Sequence, residues 1–153
     1  MAADALRFRP GTRDDVDAIR SLVRAAYAKW VPILGREPRP MTADYTTTID
    51  EHDFDLLMDG DLLVGLIETE HKPDHLWIEN VAVHPDRQGQ GLGTKLLKWA
   101  EKRAQVSGTG ELRLLTNQAM EANIKLYKKV GYKVDRTEPF HLGGTTVYMS
   151  KSI

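Results

Sequence analysis

The sequence predicts an α/β protein, with an α+β mixed sheet that carries helices on both faces. Three observations lead there. Segments alternating apolar and polar residues trade places with segments whose apolar residues recur every three or four positions. A short apolar strand over residues 76–83 runs through a glycine-rich turn directly into a helix. Asp59-Gly60-Asp61 lies between two strand-like runs as a hairpin signal.

Taken in order, Leu6-Arg7-Phe8-Arg9 alternates as a strand. Thr12, with Asp15 three residues on, reads as a capping box opening a helix through about Trp30, and Val16, Ile19, Leu22, Val23 and Ala26 form its apolar stripe. Residues 31–40 contain Pro32, Gly35, Pro38 and Pro40 and read as a loop, after which Thr42 opens a second helix toward Glu51. Strands over 54–58 and 62–70 flank the hairpin turn, and 76–83 supplies the next strand of an antiparallel run. The helix after the glycine turn runs from Gly91 to about Ser107 on a buried face of Leu92, Leu96, Leu97, Ala100 and Ala104, and Gly108 and Gly110 stop it. A strand over 112–116 and a helix over 119–130, closed by Gly131, lead to a terminal strand pair over 132–136 and 145–150, turned near Gly143-Gly144.

Composition narrows the class. At 153 residues, with 41% hydrophobic and 28% charged residues, the chain predicts a single domain over residues 1–153, and no repeat, low-complexity tract or linker divides it. Asp4, Arg7, Arg9, Arg13, Asp14, Asp15 and Asp17 leave the first thirty residues without an apolar signal region or membrane span, so the expectation is a cytoplasmic protein with no membrane partner. A net charge of -1 supplies no general basic field for nucleic acid, and Lys95, Lys98, Lys102 and Arg103 read as a solvated helix face. His71 and His75 are four apart, but Pro73 between them and the lack of an H-E-x-x-H string predict no metal site.

The glycine turn carries the chemistry. Glycines at 89, 91 and 93 free the backbone to aim successive N–H groups at one ligand, and the following helix adds positive potential, which makes a cradle for phosphate or pyrophosphate. A P-loop would end in Gly-Lys followed by Ser or Thr, whereas here Gly93 is followed by Thr94 and then Lys95. A dinucleotide fingerprint would read G-x-G-x-x-G with an acidic residue about 20 positions on, whereas this turn reads G-x-G-x-G and Arg113-Leu114-Leu115 follows.

The string Gln88-Gly89-Gln90-Gly91-Leu92-Gly93, preceded by Val81-Ala82-Val83-His84-Pro85, resembles the pyrophosphate arm of the GNAT superfamily of acyl-CoA-dependent N-acetyltransferases, whose pattern is Gln/Arg-x-x-Gly-x-Gly/Ala. A second motif, Ala122-Asn123-Ile124-Lys125-Leu126-Tyr127-Lys128-Lys129-Val130-Gly131-Tyr132, is similar to the helix on which that superfamily carries an Asn and a Tyr facing the CoA thioester. The resemblance covers the chain from about residue 6 onward. It implies a GNAT-like fold: a central, largely antiparallel mixed sheet of six to seven strands, splayed at the CoA site and flanked by about four helices. It also implies acetyl-CoA as cosubstrate with no metal, and a cofactor site of Val81, Ala82, Val83, Gln88, Gly89, Gln90, Gly91, Leu92, Gly93, Thr94, Asn117, Asn123 and Tyr127. A homodimer through the terminal strands, with residues 140–149 contributing, is a further implication.

Acetyl transfer to an amine requires a base, an oxyanion donor and an acid. The resemblance makes Tyr127 the acid, because a phenol with a pKa of about 10 keeps its proton at neutral pH; a plain aromatic packed on the sheet is the competing reading. Main-chain groups of Val81 and Val83 would pair with the pantetheine, and an N–H there would polarise the carbonyl. Strict alternation puts Trp77, Glu79, Val81 and Val83 on one face, which makes Glu79 the base; a strand glutamate paired with Lys or Arg stands beside it, and Glu68, Glu70, His75 and His84 are reserves. With no cysteine and no G-x-S-x-G elbow, direct attack in a ternary complex is expected. Tyr27, Trp30, Met41, Tyr45 and Trp77 are candidates to line the acceptor pocket, with Glu68, Glu70 or Asp44 attracting an ammonium group, and the acceptor is a small-molecule amine or a peptide. A protein N-terminal or lysine acetyltransferase and a non-catalytic acyl-CoA-binding module are the alternatives.

Overall fold

The computed structural model describes residues 6–153, and Asp4 of the charged N-terminal segment lies outside them. Strand β1 (Leu6–Pro10) leads through a 3-10 turn (Arg13–Asp15) into α1 (Val16–Tyr27), a second 3-10 turn (Ala28–Trp30), and short helices α2 (Val31–Leu34), α3 (Arg39–Thr42) and α4 (Tyr45–Glu51). Strands β2 (Asp53–Asp59), β3 (Leu62–His71) and β4 (Leu76–Val83) follow, then a 3-10 turn (Pro85–Arg87) and α5 (Leu92–Ser107). The chain ends with β5 (Glu111–Asn117), α6 (Glu121–Val130), β6 (Lys133–Pro139) and β7 (Thr145–Ser152).

The seven strands lie in the order β1-β2-β3-β4-β5-β7-β6. Every neighbouring pair is antiparallel except β4 with β5. That parallel pair is joined only at Leu76 opposite Leu112 and Trp77 opposite Arg113. Beyond those residues the two strands part, and the sheet opens into a V whose arms are β1 to β4 on one side and β5, β7 and β6 on the other. This is the splay that the resemblance implies.

Each face of the sheet has its own core, because the strands send alternate residues to opposite sides. Leu57 and Ile67 pack with Leu96 and Leu97 of α5 and with Tyr127 of α6, while Leu56, Leu66 and Ala82 pack with Ile19, Leu22 and Val23 of α1. Full burial of a leucine contributes about 1.5–3 kcal/mol, so the apolar stripes read from the sequence hold the layers together.

Three local expectations change. Two single-turn helices, α2 and α3, interrupt the loop expected over residues 31–40 and leave only 35–38 irregular, since Pro32 and Pro40 fall in first turns, where no N–H is needed. Asp44, not Thr42, caps α4, its carboxylate accepting from the Thr46 N–H at 3.1 Å. The third change concerns β4. Glu68 stands opposite Asn80 and Thr69 opposite Ile78, so Glu79 is an extra residue in the ladder, a β-bulge. Alternation reverses there: Ile78 faces the same core as Val81 and Val83. The single face expected for Trp77, Glu79, Val81 and Val83 is therefore broken at Glu79.

Candidate active site

The cradle begins where α5 begins. Gly91 caps the helix in the left-handed region at φ 79°, no side chain caps it, and Gly89 is likewise left-handed at φ 82°. The first turn closes with the Lys95 N–H donating to the Gly91 carbonyl at 3.1 Å, which leaves the N–H groups of Leu92, Gly93 and Thr94 without an intrahelical acceptor. Those donors and the dipole of a 16-residue helix suit an anion. A Cβ at Gly93 would lie 2.9 Å from Leu126 Cδ2, the movable end of a side chain on α6.

A cleft of about 450 Å³ brings together most of the expected cofactor residues: Val81, Val83, Gln88, Gly89, Gly91, Leu92, Gly93, Thr94, Asn123 and Tyr127. Gln88 is held from both ends, its Nε2 donating to the Val83 carbonyl at 3.2 Å and its Oε1 accepting from Lys29 Nζ at 2.8 Å. Ala82 packs into the α1 core and Gln90 is exposed outside the cleft lining. Asn117 lines a second cavity instead, and its Oδ1 accepts from the Ala119 N–H at 2.9 Å.

That second cavity, about 570 Å³, fills the mouth of the V between Ile78–Val81 of β4 and Leu114–Asn117 of β5. Glu79 and Tyr127 both line it, although the strict alternation used to place Glu79 fails. The cleft and the cavity share Tyr27, Val81, Asn123 and Tyr127. Burial pushes the Tyr127 phenol up to about 12. The Tyr27 hydroxyl lies 2.9 Å from Asn80 Oδ1 and 3.1 Å from the Val81 carbonyl, Asn80 Nδ2 donates to the Tyr45 hydroxyl at 3.2 Å, and that hydroxyl donates to the Pro40 carbonyl at 2.6 Å. This chain of bonds holds β4 to α1 at the point where the strand leaves β5.

Carboxylates stand on the β3–β4 side. Glu68 is buried, which pushes its carboxyl up, and His52 Nδ1 at 2.7 Å opposes that shift. Glu79 is half-buried and, among the described residues, forms no ion pair, so the alternative of a strand glutamate paired with Lys or Arg does not describe it. The reserve groups Glu70, His75 and His84 lie outside the cavity lining; Glu70 pairs with Lys72 at 3.1 Å and His75 with Asp74 at 2.7 Å. Of the candidate acceptor residues, Tyr27 and Tyr45 line the cavity, Trp30 lines the cofactor cleft, Met41 lies in the core, and Trp77 and Asp44 lie elsewhere.

Sequence reasoning missed Lys29 beside the cradle, and Arg36, His52, Phe140 and Tyr148 around the larger cavity. Lys29 lies in the 3-10 turn after α1, and its contact with Gln88 spans 59 residues, so no local signal marks it. The others come from distant segments, and no local pattern points to them.

The chain matches the family model described as Acetyltransferase (GNAT) family over residues 17–132. Over 73 residues it is 32% identical to L-2,4-diaminobutyric acid acetyltransferase of Vibrio cholerae, a match covering 46% of this chain and 42% of that protein. Over 78 residues it is 35% identical to aminoalkylphosphonate N-acetyltransferase of Salmonella typhimurium, covering 46% of this chain and 50% of that protein. The chain thus spans half or less of the length of these relatives. In fold it is similar to PaiA N-acetyltransferase of Thermoplasma acidophilum, in complex with coenzyme A, at a TM-score of 0.83 and 19% identity over 97% of this chain and 99% of that one. Since the family match runs from α1 to the residue before β6, across both the glycine cradle and the Asn123–Tyr127 helix, the chain belongs to the GNAT acetyltransferase family.

Proposed function

We propose that this protein transfers an acetyl group from acetyl-CoA to a primary amine by direct attack within a ternary complex. The observation that carries the reading is the meeting of an anion-binding cleft and a second cavity at Tyr27, Val81, Asn123 and Tyr127. The coenzyme in the similar PaiA structure and the amine acceptors named in the two relatives support it. A cavity of about 570 Å³ is of a size for a small molecule and favours a small amine over a peptide.

The residues divide the work. Acetyl-CoA supplies an activated acyl carbon and a thiolate leaving group. Leu92, Gly93 and Thr94 hold the pyrophosphate through their main-chain N–H groups, with Gln88 and Lys29 at the edge of the cleft. The main chain of Val81 and Val83, on the stretch of β4 that has left β5, pairs with the pantetheine amides, and an N–H there polarises the carbonyl. Glu79 takes the proton from the incoming ammonium, directly or through water. Tyr127 gives a proton to the departing sulfur, a role suited to a phenol that burial keeps protonated.

Free thiol release tests this, with acetyl-CoA and a panel of polyamines, aminoglycosides, amino acids and peptides. Intersecting initial-rate patterns are expected when both substrates are varied. Parallel lines would overturn direct attack, and no amine-dependent thiol release across the panel would overturn the transfer reading.

A further inference from the structure

Two opposite charges line the larger cavity from opposite arms of the V. Glu79 comes from β4, and Arg36, on the segment between α2 and α3, is held at the β6–β7 turn. The Arg36 guanidinium lies 5.0 Å over the Phe140 ring, its Nη2 reaches the Gly143 carbonyl at 3.4 Å, and its Nε is buried without a hydrogen-bond partner. Among the described residues neither Arg36 nor Glu79 forms an ion pair, with each other or with any other side chain. A guanidinium that lines a cavity with no carboxylate partner keeps charge-assisted donors for an anion that enters there.

We propose that the acceptor is a small amine that also carries an anionic group, a carboxylate or a phosphonate, with Arg36 receiving the anion and Glu79 the ammonium. The inference rests on the acetyl-transfer reading for which amine reacts, but its binding geometry stands on these two side chains. A guanidinium presents a planar fork that matches either oxyanion with two parallel hydrogen bonds, and the cation–π contact with Phe140 holds the group at this end of the cavity. The same arrangement rejects other amines. A diamine placed with one ammonium at Glu79 would bring its second toward Arg36 and Arg39, which also lines the cavity, so like charges oppose it. A simple alkylamine leaves the Arg36 guanidinium without a counter-charge.

The test is calorimetric binding to the full chain saturated with CoA, using butylamine, 1,4-diaminobutane, 4-aminobutanoate and 3-aminopropylphosphonate, with thiol release measured in parallel. One or both anionic amines should bind at least ten-fold tighter than butylamine, as expected for a charge-assisted pair, and the diamine weaker than butylamine. Comparison of the two anionic amines identifies which oxyanion the fork takes. Arg36→Gln should reduce the preference for the anionic amine over butylamine by about ten-fold or more, and Arg36→Lys, which keeps the charge but loses the fork, should reduce it less. Should Arg36→Gln fail to fold, the partial loss in Arg36→Lys carries the test. Equal binding of butylamine and the anionic amines, no binding of either anionic amine, or an undiminished preference in both Arg36 variants would overturn the proposal. An Arg36-dependent preference without thiol release would leave it standing and remove the transfer reading, and thiol release indifferent to the anionic group would do the reverse.

Discussion

Burial pushes the Tyr127 phenol up to about 12, so an acid at this position stays protonated throughout the range in which an amine becomes free base. Raising the pKa of an acid moves the loss of its proton to higher pH, so the pH profile of kcat should show no falling limb from Tyr127 below about pH 11. Tyr127→Phe should lower kcat by about a hundred-fold, the lower end of what general acids contribute, with CoA affinity by calorimetry unchanged. Glu79→Gln keeps the shape of the side chain and removes its basicity, and a comparable loss in kcat is expected from steady-state thiol release. An unchanged kcat in Glu79→Gln would move the base to water or to Glu68, which lines the same cavity beside His52.

At the scale of the element, the N-terminus of α5 depends on the left-handed Gly91, around which an added Cβ meets no atom. The penalty for a side chain there is therefore conformational, about 1–2 kcal/mol for leaving glycine, and a β-branched residue relieves it by distorting the turn. Gly91→Val should weaken CoA binding at least ten-fold in calorimetry, whereas at Gly93 an added methyl meets only the end of the Leu126 side chain, which can swing aside, so Gly93→Ala should bind CoA nearly as well as wild type. The start of α1 has its own electrostatic joint. Asp15 accepts two 2.9 Å bonds from Arg9 and one at 2.8 Å from the Thr12 N–H, and these hold its carboxyl down at about 2, chiefly through Arg9. A depressed pKa stabilises the fold above the unfolded value of about 3.9 and loses that contribution as pH falls toward 2. Asp15→Asn should cost about 1 kcal/mol in urea unfolding at pH 7, and the difference from wild type should shrink between pH 4 and pH 2.

On the scale of the whole molecule, the cofactor cleft is walled by the end of α1, the free end of β4, the start of α5 and one side of α6, so a ligand there ties elements packed on both faces of the sheet. CoA at about 100 times its Kd should add about 2.7 kcal/mol to unfolding, which for a chain of this size raises the melting temperature by roughly 5–10 °C. Differential scanning calorimetry with and without CoA measures it. In the Gly91→Val protein the same CoA concentration should give a smaller shift. The V itself has a simple origin: a parallel ladder that ends after Leu76–Leu112 and Trp77–Arg113 leaves the edge of β4 without a strand neighbour. That freed edge is where a cofactor can add as if it were another strand.

Much of this was legible in the sequence because it is local. Val16, Ile19, Leu22, Val23 and Ala26 share a helical face whatever they pack on, Asp59-Gly60-Asp61 turns a hairpin by its own backbone preferences, and Gly89 and Gly91 announce a turn that other residues resist. The prolines of residues 31–40 read as breakers because a proline's meaning depends on its place in a helix, and first-turn placement is not marked in the chain. Other features belong to tertiary structure alone. The bulge at Glu79 is a mismatch of register against Glu68 and Thr69 on a neighbouring strand, and strict alternation cannot reveal it. The opening between β4 and β5 is the end of a pairing between segments more than thirty residues apart, and the placement of Arg36 on Phe140, across a cavity from Glu79, joins segments separated by about a hundred. Local propensity and period settle which elements form, whereas strand register and the folding of distant segments onto one another settle which side chains meet.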